Sequence, residues 1–299
     1  MRLPIFRYLK VFIVLGALGF VASELVLRVM GVVDFPLYDA NSTVGYIPAA
    51  NQAGSFLNKN DFEFNEFHMG SGPFQPSDKT DILLIGDSVV YGGNKYASAE
   101  RLGSQLQKIV EGNNASFSIW PISAGSWTLR NELAYINNNP AVTANIDWFV
   151  FVLNSGDFEG ISSWRCEYTH PRKKPFSALW YVFNKYVYAI QPCGEFTPHL
   201  MPPSGELSDE VIQFVQQFGN KVTFVFYPDI VEMADSSIEK TRFSSGEEIL
   251  LNAGVNGIVR ISDDVRWNKD LYWDGIHPSP LGVEVLSQII YERVIAEIK

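Results

Sequence analysis

The chain has 299 residues, of which 46% are hydrophobic and only 19% charged, with a formal net charge of -10. That composition excludes a disordered chain and leaves room for one sizeable domain with an appendage. The acidic balance also argues against nucleic acid as a partner, since too little basic charge is present to neutralise phosphates.

At the N-terminus, Arg2, Arg7 and Lys10 precede an apolar stretch running from Val11 to Val33, interrupted only by Ser23, Glu24 and Arg28. The whole stretch is long enough to cross a bilayer as a helix, and the basic flank places the N-terminus on the cytoplasmic side. Residues 1–33 are therefore expected to form a signal anchor in the inner (plasma) membrane, with the rest of the chain periplasmic or extracellular. A cleaved signal peptide and an amphipathic core helix share part of this pattern. Glu24 and Arg28 lie four apart and can pair on such a helix.

Residues 34–80 are punctuated by Asn, Gly, Pro and Ser and carry Phe56, Phe62, Phe64, Phe67 and Phe74. Extended pieces and loops that dock by their aromatics are expected there. His68 also lies in this stretch and is read as structural.

From Asp81 onward strand and helix patterns alternate, which predicts a parallel sheet covered by helices on both faces. Strands are expected at 82–85, 117–122, 148–153, 221–226 and 257–261, and helices at 97–111, 129–138, 208–218, 245–252 and 280–298. The first of these strands ends in Gly86-Asp87-Ser88, so a serine stands at the carboxyl end of a buried strand, where α/β sheets present reactive groups. Far downstream, Asp274-Gly275-Ile276-His277-Pro278 supplies an acid and an imidazole three residues apart. Serine, histidine and aspartate are the parts of a nucleophilic acyl-transfer site: Ser88 as nucleophile, His277 as general base, Asp274 as the group that orients the imidazole. The alternatives are a helix-capping serine and a surface histidine.

Gly86-Asp87-Ser88 and Asp274-x-x-His277 resemble the first and last sequence blocks of the SGNH/GDSL hydrolases, over roughly residues 80 to 299. The resemblance implies a flavodoxin-like three-layer α/β/α sandwich and esterase, deacetylase, lipase or acyltransferase chemistry without a cofactor. It also implies an oxyanion hole built from the backbone N–H groups of Ser88 and Gly125 and the side chain of Asn154. The family pattern Gly-x-Asn-Asp is departed from here: the chain has Asn154-Ser155-Gly156-Asp157, with asparagine and glycine exchanged. A glycan O-acyl ester of the cell envelope or a secreted polysaccharide is the substrate this resemblance favours. A glycan O-acetyltransferase, a phospholipase acting on the nearby bilayer and a silent glycan-binding or assembly protein are the rival readings.

The catalytic domain, residues 81–299, is interrupted by an insertion at 158–205, dense in aromatics and expected to be a lid or substrate platform. A short amphipathic helix is expected at 176–190, and Arg172-Lys173-Lys174 forms a small basic run. Both cysteines of the chain, Cys166 and Cys193, fall in this insertion, and in an exported domain they suggest a disulfide across it. The four histidines show no metal-ligand spacing, so no metal is expected. Oligomeric state is left open by the sequence.

Overall fold

The computed structural model describes residues 3–188, 193–219 and 221–298, with side chains from Tyr8 onward. Arg2 of the basic flank, and Ala189 and Ile190 of the expected insertion helix, lie outside the described residues.

The chain starts with helix α1 (Leu3–Val29). Its Tyr8–Val29 portion has a mean hydropathy of 2.0 and none of it is buried, so it is long and apolar enough to cross a membrane. Two antiparallel hairpins follow, β1 (Tyr38–Asn41) with β2 (Gly45–Pro48), and β3 (Gln52–Phe56) with β4 (Asn60–Phe64). Tyr46, Phe62 and Phe64 of these hairpins are buried in the main core.

Next come β5 (Thr80–Gly86), helices α2 (Ser88–Tyr91) and α3 (Leu102–Gly112), β6 (Phe117–Ser123), α4 (Leu129–Asn138), α5 (Pro140–Thr143) and β7 (Trp148–Leu153). The insertion contributes α6 (Ala178–Val182). Then follow α7 (Leu207–Phe218), β8 (Val222–Phe226), α8 (Ile230–Ala234), α9 (Ser236–Asn252), β9 (Ile258–Arg260) and α10 (Pro280–Arg293). The last five strands form one parallel sheet in the order β6-β5-β7-β8-β9.

The sheet divides the interior by strand alternation. Leu83 and Ile85 of β5, with Phe149 and Phe151 of β7 and Phe224 and Phe226 of β8, face α4, α7 and α9. Ile82, Leu84, Val150, Val152 and Val225 face α3 and α10. The result is a three-layer α/β/α sandwich. Chain order reverses between β5 and β7, and this switch point is where an open sheet leaves a crevice for a ligand.

Three expected helices differ in extent. Residues 97–111 split into a 3-10 turn (Ser98–Glu100) and α3, because Arg101 between them is extended. That backbone turns its buried guanidinium back over Tyr91, 5.1 Å from the ring, and towards the Gly93 carbonyl. Helix α9 begins nine residues before the expected Ser245, capped by the Asp235 side chain on the Ser237 N–H. Its early turns hide their inward face from a hydropathy reading because Glu239 is buried there, bonded to Ser262 Oγ at 2.6 Å. The last helix ends at Arg293, followed by a 3-10 turn, Ile295–Glu297.

Candidate active site

Strand β5 runs buried to Gly86, where the chain must turn sharply into α2. A Cβ at Gly86 would stand 2.5 Å from Val90 Cγ2 and 2.9 Å from the Val152 carbonyl oxygen, so only glycine fits this corner. Asp87 caps α2 by accepting the Val89 N–H at 2.8 Å. Ser88, the first residue of α2, is thereby held at the sheet's carboxyl edge, half-buried, beside the switch point.

The Asp274–His277 loop reaches the same edge from the other end of the chain. Trp273 N–H donates to the His277 carbonyl at 2.7 Å and Ser279 N–H to that of Leu271 at 2.7 Å, closing the loop into a narrow hairpin. Tyr227, just past β8, braces it by donating to the Ile276 carbonyl at 2.7 Å. Together these contacts fix the imidazole. His277 Nε2 lies 2.9 Å from Ser88 Oγ, and its Nδ1 lies 2.9 and 3.0 Å from the two Asp274 oxygens.

The protonation pattern follows from these partners. Partial burial raises the Asp274 pKa, but the N–H groups of His277 and Ile276, the imidazole and Lys95 outweigh it and hold the carboxyl well below its ordinary range. Asp274 is thus a carboxylate, which requires the hydrogen of a neutral imidazole to sit on Nδ1. Nε2 is left free to accept from Ser88. Lys95 Nζ stands 3.0 Å from Asp274 Oδ2. It comes from the loop after α2, a partner for which the sequence carries no local signal.

Behind the serine lies a group of buried carboxyls. Asp87 Oδ2 is 3.2 Å from Ser88 Oγ and accepts from Asn154 Nδ2 at 3.1 Å. Asp157 Oδ2 accepts both the backbone N–H of Asn154, at 2.8 Å, and its Nδ2, at 2.9 Å. Glu132 of α4 is fully buried, and neither of its oxygens has a hydrogen-bond partner among the described residues. Burial raises the pKa of Asp87, and raises those of Glu132 and Asp157 further, with mutual repulsion adding to the effect on the latter two.

The three expected oxyanion donors are therefore placed as follows. Ser88 N–H opens α2 at the corner. Gly125 stands in the turn leaving β6, and a Cβ added to it would meet nothing within 4 Å, so the peptide borders open space. The Gly125 carbonyl is tied down by Tyr46 Oη at 2.7 Å, and the Tyr46 ring stacks on His170 at 3.8 Å. Burial lowers the His170 pKa to about 4, so that ring is neutral. Asn154 stands at the end of β7 next to Asp87, with its amide hydrogens directed at Asp87 and Asp157. His68 is remote in role, its Nδ1 2.8 Å from the Pro48 carbonyl oxygen. Among the described residues no group of His, Cys, Asp and Glu could hold a metal ion.

The insertion carries the disulfide Cys166–Cys193, with Cα atoms 5.4 Å apart. Its aromatic part does not remain a free flap: it packs on α1, where the Glu24 carboxylate caps α6.

No family model and no curated protein sequence matches the chain. Among solved structures it is similar to a lipase/acylhydrolase from Enterococcus faecalis, at 14% identity over 73% of this chain and 97% of that one, with a TM-score of 0.45. It is also similar to the psychrotrophic esterase EstA from Pseudoalteromonas sp., at 14% identity over 73% and 97% of the two chains, with a TM-score of 0.46. A third is an acetylxylan esterase from Geobacillus stearothermophilus, at 12% identity over 75% and 97%, with a TM-score of 0.42. At such identities and scores these likenesses assign neither fold nor chemistry to this chain; both come from its own strands and side chains.

Proposed function

We propose that the chain is a serine ester hydrolase of the SGNH type. One observation carries this reading: Ser88 Oγ, His277 and Asp274 form a continuous hydrogen-bonded relay at the switch point of a parallel sheet. An isolated serine hydroxyl is a poor nucleophile, and a base held in this way is what activates it. In the reaction, Oγ attacks the ester carbonyl while its proton passes to His277 Nε2. The N–H groups of Ser88 and Gly125 receive the negative charge that develops on the carbonyl oxygen. Asn154 supplies a third donor by turning one amide hydrogen from Asp87 to that oxygen. His277 then gives its proton to the departing alkoxide, which leaves as an alcohol. Water, deprotonated by the same imidazole, cleaves the acyl-serine.

Exposure favours hydrolysis over transfer. The side chains of His277 and Asp274 are 32% and 39% exposed, so water has direct access to the acyl-serine. The same openness suits a bulky ester, and the exposed Trp273 indole beside Asp274 offers a flat face on which a sugar ring can stack. A glycan O-acyl ester is accordingly the proposed substrate class. The chain is further proposed to be held in the inner (plasma) membrane by α1, with the catalytic domain on the periplasmic or outer side.

The test is hydrolysis of p-nitrophenyl acetate by the full chain in detergent, beside Ser88→Ala and His277→Ala. Turnover lost in both variants supports the reading; turnover unchanged in either overturns it.

A further inference from the structure

Between Tyr8 and Val29 helix α1 carries Lys10, Glu24 and Arg28, and the last two are engaged by the insertion. Glu24 accepts the N–H groups of Ala178 and Leu179 at 2.8 and 2.9 Å and the Ser177 hydroxyl at 2.9 Å. Arg28 Nη2 donates to the Phe176 carbonyl at 2.6 Å, and its Nε bonds Glu24 at 2.7 Å. The N-terminus of α6 is thereby fixed level with the last two turns of α1.

That attachment sets a depth. The 22 residues of Tyr8–Val29 rise about 33 Å as a helix, close to the ~30 Å hydrocarbon thickness of a bilayer. Glu24 lies five residues before Val29, roughly 7 to 8 Å inside the end of the span. A segment held at Glu24 thus lies a few ångströms below the headgroup boundary, within the ~5–10 Å to which interfacial helices bury their apolar face.

The segment is apolar on both sides. Ala178 and Tyr181 are buried against Val33 and Phe35. On the outer side, Phe176, Trp180, Phe183 and Val187 recur at near-helical spacing, and are 101%, 63%, 41% and 71% exposed. The polar Asn184 and Lys185 turn back onto the segment itself, donating to the Trp180 carbonyl at 2.9 Å and to Tyr181 Oη at 2.8 Å, so the outward face is mainly aromatic and apolar and poorly suited to water. Beside it, Phe35, Tyr168, Phe176 and Trp180 border an open apolar hollow of about 250 Å³.

We propose that the Phe176–Tyr188 segment lies in the lipid interface beside α1. The domain would then rest on the bilayer through two contacts, a spanning helix and an embedded aromatic segment, and its orientation to the membrane would be fixed. The occupant of the exposed face is lipid, because the face is continuous with the apolar surface of α1 itself. This inference rests on α1 being a membrane span, but not on the proposed chemistry.

The experiment reconstitutes the full chain in phosphatidylcholine nanodiscs, with ordinary or brominated acyl chains. The tryptophan emission of wild type minus that of Trp180→Tyr isolates Trp180. Leu18→Trp, placed in the Trp180→Tyr chain, reports the middle of α1, and circular dichroism checks that each variant is folded. The expected result is that brominated chains quench both Trp180 and the residue-18 reporter. Quenching at position 18 with Trp180 untouched overturns the proposal while leaving the anchor in place. A Trp180 shielded from both lipid and aqueous iodide overturns it in favour of a protein partner or a second copy. Quenching at neither site removes the anchor and the proposal together.

Discussion

Asp157 grips Asn154 at two points, accepting its backbone N–H at 2.8 Å and its side-chain amide at 2.9 Å through a single oxygen. This pairing fixes the Asn154 side chain within the order Asn154-x-Gly156-Asp157. The asparagine comes first, directly off β7, and the buried carboxyl three residues on turns its amide towards Asp87. Replacing Asp157 by Ala leaves the Asn154 N–H without its acceptor and is expected to cost about 1–3 kcal/mol in urea unfolding. Asn154→Ala should lower kcat by about tenfold with little change in KM, less than the 10²–10³ of a donor held ready for the oxyanion.

Glu132 makes stability depend on pH in a defined direction. Burial, with Asp87 nearby, raises its carboxyl pKa well above the ordinary value, so the folded chain keeps a proton that the unfolded chain releases. That contribution is complete below the unfolded value and is lost as pH rises through the folded one, by up to about 1.4 kcal/mol per pH unit. Thermal melts from about pH 5 to about pH 9 should show stability falling on the alkaline side. Glu132→Gln, which cannot ionise, should flatten that fall.

How much of this was legible in the sequence depends on whether partners lie close along the chain. Ser88 is announced by a buried strand ending in Gly-Asp-Ser, and Asp274 and His277 sit in one short loop, so local pattern suffices. Lys95 meets Asp274 across 179 positions, and Tyr46 reaches Gly125 across 79; a local reading has no access to either. Glu132 and Glu239 are buried carboxyls on helix faces that hydropathy marks as outward. The aromatic insertion reads from sequence as a lid or substrate platform, and its attachment to Glu24 and Arg28 follows only from tertiary structure. The sheet was legible because its strands are short, apolar and separated by helical stretches, whereas α9 was shortened by its polar first half.

The Cys166–Cys193 bond closes a loop with a sequence separation of 27. In the loop-entropy picture that is worth about 3 to 4 kcal/mol. The double substitution Cys166→Ser, Cys193→Ser is expected to lose stability of this order. Limited proteolysis should then cut first within the insertion, before the sheet is touched.

Gly86→Ala tests the corner that presents Ser88. Its added methyl would meet the Val152 carbonyl oxygen, which cannot move without disturbing β7. The expected outcome is a loss of about 1–3 kcal/mol together with reduced turnover, because Ser88 moves with the corner.

On the proposed reading His277 activates Ser88 as a nucleophile. The most direct measurement is covalent labelling of the full chain by a fluorophosphonate, followed by mass spectrometry of the modified peptide. One adduct is expected on Ser88 and none in Ser88→Ala, with labelling slowed on the order of 10³-fold or more in His277→Ala. A folded wild-type chain that takes up no label, or a Ser88→Ala chain labelled as fast as wild type, would contradict it.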